Sequence, residues 1–154
     1  MATMVSRLLD LADGLLQSGP RSSAMRRRAV STAYYAVFHA LAKVCADELL
    51  PAARPDSDEY ARVYRSLDHG SLKSAFRGVP LADRDVFRNL GDLIVRLQSE
   101  RHRADYAPPV QTVFTTEQAE RLIAQGRRAV SGIEALDAAD RRTLAVCLLF
   151  KARP

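Results

Sequence analysis

The chain has no tryptophan, only two cysteines and only three histidines, and each scarcity removes a class of chemistry. Cys45 and Cys147 lie in separate apolar stretches with no Cys or His nearby at ligand spacing. That pattern excludes a disulfide framework and a zinc ribbon, and it predicts two buried, inert thiols. His39, His69 and His102 are too dispersed to suggest a zinc site. No metal or cofactor is expected. No apolar run approaches the roughly 20 residues that a membrane-spanning helix needs. Met1 to Asp13 alternates apolar and charged residues and lacks the unbroken apolar segment of a signal peptide. The expectation is a soluble, cytoplasmic protein with no membrane partner. Internal repeats, low-complexity tracts and long linkers are also missing, so residues 1–154 read as one domain.

What is present is an ordinary globular balance: 154 residues, 47% hydrophobic and 27% charged. That is enough length for a real core. The net charge is +5, and 20 of the 23 basic residues are Arg. Arginine suits planar, bidentate contacts to phosphate or carboxylate, so the excess leans toward an acidic partner such as RNA. A coding bias toward Ala, Arg and Leu would give the same composition.

Helical periodicity dominates the chain. Val5, Leu8, Leu9, Ala12, Leu15 and Leu16 share one face of a first helix, which Gly19-Pro20 stops. Val30, Ala33, Tyr34, Val37, Phe38, Leu41, Val44 and Cys45 form the stripe of a second, which Pro51 and Pro55 close. Asp56, Ser57 or Asp58 caps a third, with Val63, Leu67, Leu72 and Phe76 inward; His69-Gly70 is placed to split it. Asp83 is positioned to cap a fourth, burying Val86, Leu90, Leu93, Ile94 and Leu97 and ending at Pro108-Pro109. Thr115 and Gln118 resemble a capping box for a fifth, whose Gly126 invites the close approach of another helix. The tail through Phe150 has strand-like composition. With no other strand to pair with, it reads as a short sixth helix capped by Asp137. The fold class is therefore all-α: an antiparallel bundle of about five helices, with a short sixth at the C-terminus.

Three polar constellations stand out. On the second helix Arg28, Ser31 or Thr32, Tyr35 and His39 follow at three- and four-residue steps, bordering the apolar stripe. Such a border suits a groove or an interface; it equally suits boundary residues satisfied within one chain. Arg26, Arg27 and Arg28 sit near the start of that helix, where positive charge opposes the helix dipole. An anion would resolve the conflict, as would solvent or carboxylates elsewhere. The third runs from Arg96 to Tyr106, presenting Arg101, His102, Asp105 and Tyr106 where a helix meets a loop.

The residues Arg28-Ala29-Val30-Ser31-Thr32-Ala33-Tyr34-Tyr35-Ala36-Val37-Phe38-His39-Ala40 resemble the signature helix of the HEPN family, small helical bundles of bacteria and archaea. His69-Gly70-Ser71-Leu72 with Phe76 is similar to that branch's middle segment, and Arg101-His102-Arg103-Ala104-Asp105-Tyr106 to its later element. The likeness spans residues 5 to 136 approximately. Three readings follow from it. Many HEPN proteins are metal-independent ribonucleases, often toxins of toxin–antitoxin or antiviral systems, in which two protomers share one RNA-cutting cleft. That resemblance would put Arg96 or Arg101 on phosphate and His102 in acid–base work, with Tyr106 and His39 positioning RNA. Others pair with a small nucleotidyltransferase antitoxin, which in some cases adds AMP to a Tyr near the motif; Tyr106 is the nearest here. On that reading the chain is a module binding a partner, a nucleotide or RNA, and a homodimer. The third reading is a purely structural dimerisation domain.

Spacing divides the first two. Arg96 and His102 have the family's Arg-to-His spacing. On an unbroken helix, however, six steps of 100° set them about 120° apart. Counting from the better-aligned Arg101, the position expected for His holds Asp105, which repels a phosphodiester and is a poor proton donor at neutral pH. The binding module is therefore the preferred expectation, with RNA cleavage the alternative.

Overall fold

The computed structural model describes residues 1–109 and 112–152. Among them are seven α-helices, one short 3-10 turn and no strand, so the chain is all-α. The helices are α1 (Met4–Ser18), α2 (Ser23–Leu49), α3 (Asp58–Tyr64), α4 (His69–Arg77), α5 (Asp85–Tyr106), α6 (Thr116–Glu134) and α7 (Ala138–Leu149), with the 3-10 turn at Leu81–Asp83. No helix among the described residues is long and apolar enough to cross a membrane.

The count exceeds five because the third expected helix divides. Ser57 caps α3, its hydroxyl accepting from the Tyr60 N–H at 3.2 Å, and Asp68 opens α4 by accepting from the Gly70 N–H at 3.1 Å. Two caps eleven residues apart make two short helices cheaper than one interrupted helix. The tail is helical, with the Asp137 carboxylate accepting from the Asp140 N–H at 2.8 Å. Thr115 and Gln118 form the reciprocal capping box: the Thr115 N–H donates to Oε1 of Gln118 at 2.9 Å, and the Gln118 N–H donates to Oγ1 of Thr115 at 3.1 Å.

One boundary differs from expectation. Asp83 lies in the 3-10 turn, and α5 begins two residues later. Phe87 is consequently fully buried, while Val86 is 41% exposed. Both residues lie at helical spacing from Leu90, so periodicity alone could not choose between them.

The chain divides into two compact units. The first comprises Met1–Val37 and Leu93–Ser131: α1, the first part of α2, the later part of α5 and most of α6. Its core includes Leu9, Leu16, Val30, Tyr34, Leu97 and Ile123, all at most 5% exposed. Each such large side chain contributes roughly 1.5–3 kcal/mol by leaving water. Within this unit α2 runs antiparallel to α5, since Arg27 reaches Ala107 while Arg101 lies over Tyr34. Gly126 permits close packing of α6 on α2: a Cβ there would sit 3.4 Å from both Cβ and the carbonyl oxygen of Ala33.

The second unit comprises Phe38–Asp92 and Gly132–Pro154, of which residues through 152 are described. Its core includes Leu41, Leu72, Phe76, Leu81, Phe87 and Leu144. Arg84 pairs with Asp140 at 2.6 Å, and Arg141 pairs with Glu48 at 3.1 Å. Cys45 is buried, as expected, and burial pushes its thiol up to about 12. Cys147, expected to be buried, is only partly so and lies next to Val146, which is 51% exposed on α7.

Candidate functional site

The first unit gathers most of the residues singled out in the sequence. The Arg101 guanidinium on α5 lies 5.3 Å from the centre of the Tyr34 ring on α2, within cation–π range. Its side chain is only 13% exposed. Among the described residues its one acidic partner is Asp105, a turn later, at a long 3.5 Å from Nη1. The Nε–H of Arg101 is buried and makes no hydrogen bond among the described residues. A guanidinium has five donors in a rigid fork, so this one is held in place while its hydrogen-bonding capacity is under-used.

Beside it, His102 and Tyr106 are one helical turn apart and both exposed, with ring centres 4.8 Å apart. Tyr106 is 69% exposed, more than any other Tyr or Phe among the described residues. Arg101, His102, Asp105 and Tyr106 thus form a continuous strip on the last two turns of α5. Arg96 does not join it. Because α5 is unbroken to Tyr106, Arg96 and His102 stay about 120° apart around the axis. Arg103 points elsewhere too, pairing with Glu100 at 2.7 Å and lying 5.4 Å over the Phe114 ring.

The arginines at the start of α2 have a different occupation from an open anion cradle. Arg26 donates from Nε to the Phe114 carbonyl at 2.8 Å and from Nη1 to the Pro20 carbonyl at 2.7 Å. Arg27 donates to the carbonyls of Ala107 at 2.6 Å and Pro108 at 2.8 Å, just beyond the end of α5. The sequence reading set an anion against solvent or carboxylates; backbone carbonyls were missed, because nothing in a linear sequence marks which carbonyl lacks a donor. Arg28 remains exposed.

The polar stripe expected along α2 is not a surface stripe. Ser31 is 1% and Thr32 8% exposed, while Tyr35 is half-buried. Helix α2 is enclosed on most sides from Ala29 to Val37, so a border position on a helical wheel became an interior one. The Ser31 hydroxyl has no hydrogen-bond partner among the described residues.

His39 belongs to the second unit and is engaged there. Its Nδ1 lies 2.5 Å from the Tyr64 hydroxyl on α3, and burial holds its pKa below the usual 6.5, favouring the neutral ring. Tyr64 itself is pushed up by burial. Its neighbour Tyr60 donates to the Asp47 carboxylate at 2.7 Å; burial and that bond keep it a phenol. Sequence reasoning missed both tyrosines, although their i, i+4 spacing on α3 was the available signal.

Among the described residues, no group of three or more His, Cys, Asp or Glu is placed to hold a metal ion. Comparison of the chain with protein-family models, with curated proteins and with solved structures finds no match.

Proposed function

We propose that the chain is a HEPN-like binding module that takes an anionic, phosphate-bearing partner on the strip at the end of α5, as a homodimer in a toxin–antitoxin or defence setting. The observation that carries this reading is the state of Arg101. It is largely withdrawn from solvent, oriented by the Tyr34 ring, and paired with a single carboxylate among the described residues, at 3.5 Å. Leaving a buried charged donor short of partners costs free energy, and a phosphate oxygen would recover it. The exposed His102–Tyr106 ring pair supplies a stacking surface beside it. RNA or a nucleotide satisfies both features. In this reading a nucleotidyltransferase is the protein partner, and Tyr106 is the residue it would reach.

Cleavage is the weaker reading. Asp105 lies close to the guanidinium, and the unbroken α5 keeps Arg96 and His102 apart within one chain. One experiment separates the two. The protein is incubated with structured RNA without divalent metal, and binding and products are followed together. Saturable binding of intact RNA, weakened on the order of tenfold or more in Arg101→Ala with the helical spectrum retained, supports the module. Products ending in a 2′,3′-cyclic phosphate, lost in His102→Ala, establish the ribonuclease instead. Neither binding nor cleavage overturns both. With the nucleotidyltransferase partner, mass spectrometry finds an AMP adduct on Tyr106; an unmodified Tyr106 counts against that pairing. Light scattering reads the dimer.

A further inference from the structure

The second unit holds a segment that is tied down at very few points. From Pro51 to Ser66 the chain runs through the turns after α2, then α3 and the turn that follows it. Over that whole stretch Tyr60 is the one buried residue. A helix shorter than about 12–15 residues is marginal in water, so α3 persists because it is docked. What docks it is a pair of phenols one turn apart. The Tyr60 hydroxyl donates to the Asp47 carboxylate at 2.7 Å. The Tyr64 hydroxyl lies 2.5 Å from Nδ1 of His39 and 3.4 Å from the His39 carbonyl oxygen. Among the described residues these are the segment's only hydrogen bonds to another helix. The Arg54–Asp56 ion pair stays within the segment. The stretch is therefore a strap, pinned to α2 at His39 and again about two helical turns later at Asp47.

The pin at His39 is sensitive to charge. From α3 the ring faces Tyr64, which burial keeps a phenol. From α4 comes His69, stacked on the neighbouring Phe38 with ring centres 3.9 Å apart. On α2 itself Lys43 stands one turn on, paired with Asp47, whose other oxygen accepts from Tyr60. His39 makes no ion pair among the described residues. A neutral ring protonated on Nε2 suits this setting, because its Nδ1 lone pair accepts the Tyr64 hydroxyl. An imidazolium has no lone pair at Nδ1, so it cannot accept that hydroxyl. Its charge would also stand half-buried with no carboxylate to receive it. Burial already holds the His39 pKa below 6.5. Water is the remaining source of solvation, and the strap can yield to it while exposing a single buried side chain.

We propose that Pro51–Ser66 is an acid-released strap: proton uptake by His39 breaks the bond it accepts from Tyr64 and frees α3 from α2, while the rest of the unit stays folded. The sign follows from linkage. With the strap open, His39 is in water and takes a proton at its ordinary pKa; with the strap closed it takes one only at lower pH. Above pH 6.5 neither form is protonated and the strap is closed. Below it, opening binds one proton, so the opening constant rises by up to about tenfold per pH unit. The rise levels off once the docked ring is protonated too. Helix α4 does not follow, because Leu72 and Phe76 anchor it in the core. Release bares the His39 and Asp47 side of α2 to solvent. The strap shares no residue with the strip on α5 and opens whether or not that strip binds phosphate.

The test is residue-resolved amide hydrogen exchange on the full chain at pH 7.5, 6.5 and 5.5, each rate divided by its intrinsic value at that pH. Protection of the Arg62, Val63 and Tyr64 amides is expected to fall several-fold between pH 6.5 and 5.5. Protection from Leu72 to Phe76 in α4 stays level over the same range. The His39→Asn variant keeps an acceptor near the place of Nδ1 and takes no proton, so its α3 protection is independent of pH. Tyr64→Phe keeps the ring and removes the hydroxyl. It loosens α3 already at pH 7.5 and flattens the pH dependence, and it tests the latch without altering α2. Three results overturn the proposal. One is α3 protection that ignores pH in the unaltered chain. Another is loss of α3 and α4 protection in step, which marks opening of the whole unit. The third is an unchanged pH dependence in either variant, which places the responsible proton elsewhere.

Discussion

Three glycines make one substitution into a measurement of local space. Gly14, Gly91 and Gly126 are all interior to helices, so changing each to alanine brings the same intrinsic gain of about 1 kcal/mol. What the new Cβ meets differs. At Gly14 nothing among the described residues beyond its own helix lies within 4 Å, so Gly14→Ala stabilises by nearly the full amount. At Gly126 the Cβ would meet Ala33 at 3.4 Å, the near edge of ordinary van der Waals contact, so Gly126→Ala keeps less of the gain than Gly14→Ala. At Gly91 it would sit 2.9 Å from Cδ1 of Phe76 and 3.0 Å from its Cβ and Cγ. Phe76 is only 5% exposed and the contacts include its own Cβ, so no rotamer change relieves them; α4 itself must shift. Overpacking of this kind costs about 1–3 kcal/mol, which leaves Gly91→Ala level with the unaltered chain at best and about 2 kcal/mol less stable at worst. Urea titration reads the differences directly. In thermal melts each 1 kcal/mol corresponds to about 2–4 °C for a chain of this size. Equal stability of the Gly14→Ala and Gly91→Ala variants would refute the packing of α4 on α5 described here.

Further outcomes follow from single groups. Asp137→Ala removes the cap of α7 and lowers urea stability by about 1 kcal/mol, while Asp137→Asn retains most of it; equal loss in both variants would mean that the cap is not what matters. His39 has a folded pKa depressed below 6.5 by burial, so the unfolded chain takes up its proton first. Its contribution to stability is therefore intact above pH 6.5, declines as pH falls toward the folded value and levels off below it. Urea midpoints at pH 7.5 and 5 should fall less in His39→Gln than in the unaltered chain, and the opposite order would reverse the sign. Cys45, with its thiol pushed up to about 12 and buried, should resist alkylation at pH 8 until the chain is denatured; rapid labelling of the native protein at Cys45 contradicts its burial.

Helix identity was readable because apolar spacing and capping chemistry are local. The Thr115–Gln118 box and the Asp137 cap each depend on residues three apart, and both formed as written. The approach at Gly126 was legible for the same reason, since a missing side chain is visible in a sequence even when its neighbour is not. The site was less legible because it depends on which helix faces which. Ser31 and Thr32 looked like border residues, but a wheel drawn for one helix does not show how many sides its neighbours cover. The pairing of Arg101 with Asp105 was visible as a four-residue step, whereas the Tyr34 ring beneath the guanidinium required a second helix. The contact of His39 with Tyr64 escaped notice because the two residues lie on different helices.

The Arg27 clamp on the carbonyls just beyond α5 has a bearing on acid tolerance. Arginine stays protonated at any pH a protein survives, and a peptide carbonyl does not titrate. The bonds from Arg27 to Ala107 and Pro108 therefore do not depend on acidity. The chain that leaves α5 just after Tyr106 is moored by bonds that acid does not loosen.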